Sequence, residues 1–123
     1  MLTVLLLAWL WAAAAPDREA AMTRARRSFE LSRAGRLAEA ESEMRAAINL
    51  APQDPLLHSA LGGLLSQQGK IAESFDSFIK AVELAPENTV LRSRLEEVGL
   101  EFGAQLARER RSRAGLPAAE DIA

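Results

Sequence analysis

From residue 54 onward the apolar positions fall at helical spacing. Leu57, Leu61, Leu64 and Leu65 stand at i, i+4, i+7 and i+8, which makes one buried stripe. Asp54-Pro55 reads as an N-cap followed by Pro at the first helical position, and Gly69 reads as the stop. A second stripe follows in Ile71, Phe75, Phe78, Ile79, Val82 and Leu84, and Pro86 ends it. Asn88 is placed to cap the next helix. The preceding stretch has the same plan: a helix to about Arg33, then Gly35, a helix from Leu37 to Leu50, and Pro52. Leu91, Leu95, Val98, Phe102 and Leu106 predict a last helix from about Thr89 to Arg113, ended by Gly115-Leu116-Pro117. Its other face carries Arg92, Arg94, Glu96, Glu97 and Glu101, so it suits the end of a stack, with one apolar side and one wet side. Gly99 and Gly103 weaken it by about 1 kcal/mol each relative to Ala.

The plan repeats with a period of 34. Between residues 21–54 and 55–88, nine pairs are identical: Leu31/Leu65, Ser32/Ser66, Gly35/Gly69, Ala38/Ala72, Glu39/Glu73, Ala47/Ala81, Leu50/Leu84, Ala51/Ala85 and Pro52/Pro86. Arg36/Lys70, Leu37/Ile71, Met44/Phe78 and Ile48/Val82 are conservative. Matching punctuation at a fixed period is the signature of a repeat array. Gly62 and Ala81, with Ala47 in the first unit, fall where the two helices of a hairpin must approach closely. Gly103 lies 34 residues after Gly69, which leaves open that the last helix is a decayed third unit. Arg108, standing where the earlier units have Ala40 and Ser74, argues against normal packing of such a unit's second helix.

The first 15 residues are apolar and carry no charge; Asp17 is the first charged side chain. That run is short of the ~20 residues needed to cross a bilayer core. A short apolar run ending in small residues reads as a secretory signal peptide, with cleavage after Ala14 and Ala12 and Ala14 as the small pair. The positively charged start usual in such peptides is missing. The rival readings are an uncleaved anchor, with Trp9 and Trp11 at the interface, and an apolar helix packed on the body. The expected organisation is a leader over 1–15 and a domain over 16–113. The domain holds repeats at about 21–54 and 55–88 and a capping helix at about 89–113, and a loose tail follows over 114–123.

Composition narrows function. A chain of 123 residues holds one domain. No Cys excludes disulfides, thiol catalysis and thiolate metal sites. His58 is the single His, and one imidazole makes no site by itself; Asp54, one turn earlier, is explained by capping. Gly62-Gly63 has no strand before it and no Lys-Ser or Lys-Thr after it, so it is no phosphate loop. No Ser/His/Asp set has supporting context, and Glu96-Glu97 point about 100° apart. The expectation is therefore a non-enzyme with no catalytic, cofactor or metal residues. Formal charge is −2, and the chain has no Tyr and only four Phe, so nucleic acid is not expected. The run Arg108-Glu109-Arg110-Arg111-Ser112-Arg113 reads as a solvated helix end that complements the macrodipole.

The period, the helix–turn–helix plan and the spacing of Leu61-Gly62, Leu65, Phe78, Ala81 and Pro86 resemble the tetratricopeptide repeat family. The second unit fits better, with His58 where that family has Trp and Ser74 where it has a small Ala. The first unit keeps Leu31, Ala40, Ala47 and Pro52 but has Arg27-Ser28 in place of Leu-Gly. The resemblance implies an all-α, tetratricopeptide-like hairpin array that binds proteins through a groove lined by the first helix of each unit. Carried onto this chain, that groove is Met22, Ala25, Phe29, Ser32 and Arg33, then Leu56, Ser59, Gly63, Ser66 and Gln67, with Ser93 and Glu97 from the cap. It lacks the clustered Lys and Asn that clamp a peptide's terminal carboxylate. The expected ligand is an apolar peptide or helix of a partner protein. Two units and a cap lie at the lower limit of such arrays, so self-association is the other expected contact. The leader implies a periplasmic or secreted location, with membrane contact only if it is retained.

Overall fold

The computed structural model describes residues 2–117, and the side chains of residues 8–16 lie outside that description. Five α-helices occupy the described residues: α1 (Leu2–Arg33), α2 (Leu37–Leu50), α3 (Pro55–Gln67), α4 (Ile71–Leu84) and α5 (Thr89–Arg113). Each packs on its neighbour in sequence, so α1–α2 and α3–α4 form two helical hairpins and α5 covers the second. The chain thus has an all-α, tetratricopeptide-like repeat architecture.

Local chemistry sets the boundaries. The Asp54 carboxylate accepts from Leu56 N at 2.9 Å, with Pro55 opening α3. Asn88 Oδ1 accepts from Val90 N and Leu91 N, both at 3.1 Å. These bonds satisfy amides that have no partner inside the helix. Gly35 and Gly69 adopt φ of 77° and 76°. In each turn the following N–H returns to a carbonyl one helical turn back, Arg36 N to Leu31 O and Lys70 N to Leu65 O, both at 2.9 Å. The backbone repeats as closely as the sequence: φ and ψ are −137° and 70° at Ala51, −142° and 70° at Ala85.

The packing keeps the positions and exchanges the chemistry. In the first hairpin Ser28 Oγ donates to Ala40 O at 2.6 Å. In the second, the equivalent positions are Gly62 and Ser74, and Ser74 Oγ donates to Gly62 O at 2.7 Å. One hydroxyl ties each hairpin, but from opposite helices. Both serines are fully buried, so each hydroxyl needs that bond. The Arg27-Ser28 departure from the family pattern is thereby accommodated.

The joints between units are exchanged in the same way. Glu41 on α2 accepts from Gln68 Nε2 at 2.8 Å, from Lys70 Nζ at 3.0 Å and from Arg45 Nε at 2.9 Å. Adding 34 to Glu41 and Gln68 gives Phe75 and Phe102, whose rings meet at 5.6 Å. The first joint is polar and the second aromatic. Gly99 has a purpose here: a Cβ on it would lie 3.2 Å from the Phe75 ring.

The apolar run and the first helix of the first unit form one element: α1 is continuous from Leu2 through Pro16 to Arg33. Leu2, Val4, Leu5, Leu6 and Leu7 on it are exposed, so that end is not packed on the body. Gly103 makes no turn, because α5 runs through it and no third hairpin forms. The glycine stop comes at Gly115, as the sequence predicts, with φ 68° and Leu116 N reaching Arg111 O at 3.0 Å. Of the tail, 114–117 turn off α5, and 118–123 lie outside the described residues. No helix among the described residues is long and apolar enough to cross a membrane.

Candidate interaction face

The 34-residue period sets equivalent residues of α1, α3 and α5, the first helices of successive units and the cap, in rows along one side of the stack. Met22, Leu56 and Val90 form a row across it at intervals of 34. Phe29, Gly63 and Glu97 form a second row, and Ser32, Ser66 and Leu100 a third. From Asp17 to Arg113 the exposed large apolar side chains are Met22, Phe29, Leu56, Val90, Leu100 and Leu106. Their exposure runs from 37% at Met22 to 77% at Leu100. The first five stand on these rows or carry the period into them, Leu106 continues the apolar stripe of α5 instead, and none of the six lies on α2 or α4. Scattered exposed Leu or Val is ordinary; here five exposed apolar side chains share one side of the stack.

The residues expected to line a single groove separate into three environments. Leu56 lines an open depression of ≈ 590 Å³ with Asp17, Arg18, Leu50, Ala51, Gln53, Asp54 and Pro55. Gly63, Ser66 and Gln67 line a second of ≈ 270 Å³, between α3 and α5, with Arg94, Glu97 and Glu101 on its rim and Phe78 and Val98 in its wall. Met22, Phe29 and Arg33 are exposed on α1, and Ser32 and Ser59 are half-buried. Ser93 is exposed on α5. Ala25 does not line the face: it is 5% exposed and belongs to the core with Ala21, Ala40, Met44 and Ala47. Its small side chain lets α1 and α2 approach, the role expected of Ala47.

Val90, Leu100, Arg94 and Glu101 were not among the expected residues. Adding 34 to the expected Leu56, Ser66 and Gln67 reaches Val90, Leu100 and Glu101, whereas Arg94 follows Ala60, which the resemblance did not place on the face.

Reactive chemistry is thin. His58 Nε2–H donates to Pro52 O at 2.8 Å, so the imidazole ties the loop before α3. Among the described residues no group of three or more His, Cys, Asp or Glu could hold a metal ion. The chain presents no catalytic motif and no Cys.

Residues 57–88 match the family model of the tetratricopeptide repeat. The match covers α3 and α4, the hairpin with Gly62, Phe78 and Ala81 at the family's spacing. No curated protein matches the chain. A general role in protein–protein interaction is consistent with this architecture.

Proposed function

We propose that the chain is a protein-interaction module whose exposed α1–α3–α5 face binds a helical or extended apolar segment of a protein. The supporting observation is the confinement of Met22, Phe29, Leu56, Val90 and Leu100 to that face. Small residues at Ser59, Gly63 and Ser66 leave room between the apolar rows for a ligand's side chains. The reading is tested with the double substitution Phe29→Asp, Leu56→Asp. Both side chains are exposed, so helical content should be unchanged. Affinity for a partner segment should fall at least tenfold, since two desolvated apolar anchors are each worth more than 1 kcal/mol. Undiminished binding would place the contact on another surface.

The apolar stretch before Pro16 is proposed to direct export to a periplasmic or secreted location. Its length, its small residues at Ala12 and Ala14 and the exposure of Leu2 through Leu7 support this reading. Intact mass of the protein recovered from its native host should show loss of about fourteen residues. A full-length mass would end the proposal.

A further inference from the structure

The face carries different charge at its two edges. At equivalent positions α1 has Arg26 and Arg33, α3 has Ala60 and Gln67, and α5 has Arg94 and Glu101, with Glu97 following Gly63. The α1 edge is basic, the centre neutral and the α5 edge net acidic; Arg94 reduces that acidity without reversing it. Among the described residues Arg26, Arg33, Glu97 and Glu101 take part in no ion pair. Their charges are not neutralised within the chain.

The two ends of the stack are closed differently. Leu57, Leu61 and Leu64, which bury α3 against the first hairpin, correspond to Thr23, Arg27 and Glu30 on α1, all exposed. Gly62, the close approach of α3 to α4, corresponds to exposed Glu96 on α5. A helix added at either end would meet charge where the interior has Leu or Gly. The stack does not extend itself end to end, and apolar contact is offered on the face.

We infer that the face receives a second copy of this chain, laid face to face about a two-fold axis along α3; this rests on reading the face as a docking surface. Such an axis carries α1 of one copy over α5 of the other and leaves α3 over α3. The row Met22, Leu56, Val90 then meets itself in reverse, apolar on apolar. Arg33 of one copy comes level with Glu101 of the other, a contact made twice; Arg26 comes level with Arg94 and Phe29 with Glu97, so the charge match rests on Arg33 and Glu101. A partner of another sequence would need opposite charges at matching edges, and this chain already has them. Three helices about 8–10 Å apart, each showing about 20 Å of length, give a face of roughly 500 Å² in plan. A stable complex buries about 800 Å² per partner. The contact is therefore weak and reversible, and its charged edges are screened by salt.

The test is sedimentation of the full chain at low salt, up to about 1 mM, a range that registers weak association. Two variants are compared with it: Arg33→Glu and Glu101→Arg. The unaltered chain should pass from monomer to dimer with concentration, and each variant should remain monomeric with unchanged helical content. An equimolar mixture should dimerise again, because opposite charges then meet at both of these contacts. Association through the apolar leader would not follow this pattern. A monomer throughout the range overturns the second copy as occupant. So does a dimer that survives both reversals, or a mixture that stays monomeric. The groove reading falls separately, only if Phe29→Asp with Leu56→Asp leaves binding of a partner segment intact.

Discussion

Replacing Gly62 with Ala should destabilise the fold by about 1–2 kcal/mol, although Ala is the better helix former by about 1 kcal/mol. A Cβ at this position would lie 2.7, 2.8 and 3.0 Å from three ring atoms of Phe78. Phe78 is buried against Ile71 and Val98, so its ring gives way only by disturbing that packing. Inserting a methyl into such packing costs about 1–3 kcal/mol and displaces the ring or the helix. Set against the helical gain, a strong clash leaves the net loss stated. The first hairpin shows how the conflict is resolved: at the same positions it has Ser28 and Met44, a larger residue facing an unbranched side chain that adapts. Phe78→Met should therefore recover stability in the Gly62→Ala background while costing stability alone. Thermal melts of the four proteins give the coupling directly. The single variant should melt about 5–15 °C lower, at ~4–8 °C per kcal/mol. A Gly62→Ala protein that melts higher than the parent, or no rescue by Met, would show that the ring does not fill the contact.

The second large effect is acid sensitivity centred on Glu41. Burial alone would raise its pKa, but hydrogen bonds from Gln68, Lys70 and Arg45, with the Arg45 charge, lower it from 4.5 to about 2. The unfolded chain releases this clamp, so its carboxyl takes up a proton more readily than the folded one. The associated stability is complete above about pH 5 and drains away as pH falls from about 4.5 towards 2. A shift of this size corresponds to about 3 kcal/mol at most. Arg45 and Lys70 are about half exposed, so screening brings it nearer 2. Glu41→Gln should be less stable than the parent by that amount at pH 7, and the gap should close by pH 2. Parallel stability curves for the two proteins across this range would place the acid sensitivity elsewhere. The position matters because the joint it holds, between the first hairpin and the second, has no aromatic pair to replace it.

The sequence alone carried much of the architecture. Asp54 and Asn88 cap, Gly35, Gly69 and Gly115 stop, and the helix ends fall where those residues said they would. Such signals are local: a capping oxygen or a positive φ involves a few adjacent residues, and no distant contact is needed to read it. The candidate face was partly legible: the family resemblance implied Met22, Phe29, Leu56 and Gln67, which are exposed, and carrying the period one unit further reaches Val90 and Leu100.

What the sequence did not determine is how equivalent positions are used. Ala25 reads as a groove residue by register, yet it packs in the core, because rotation of α1 is set by its contact with α2. The 34-residue period says that Ser28 matches Gly62 and Glu41 matches Phe75. It is silent on the hydroxyl that binds from α1 in one hairpin and from α4 in the other, and on the polar joint that becomes an aromatic one. Spacing along one helix reports which side faces inward. The partner atom on another helix depends on size, approach and hydrogen-bond demand at that point, and only the packed tertiary structure decides those together.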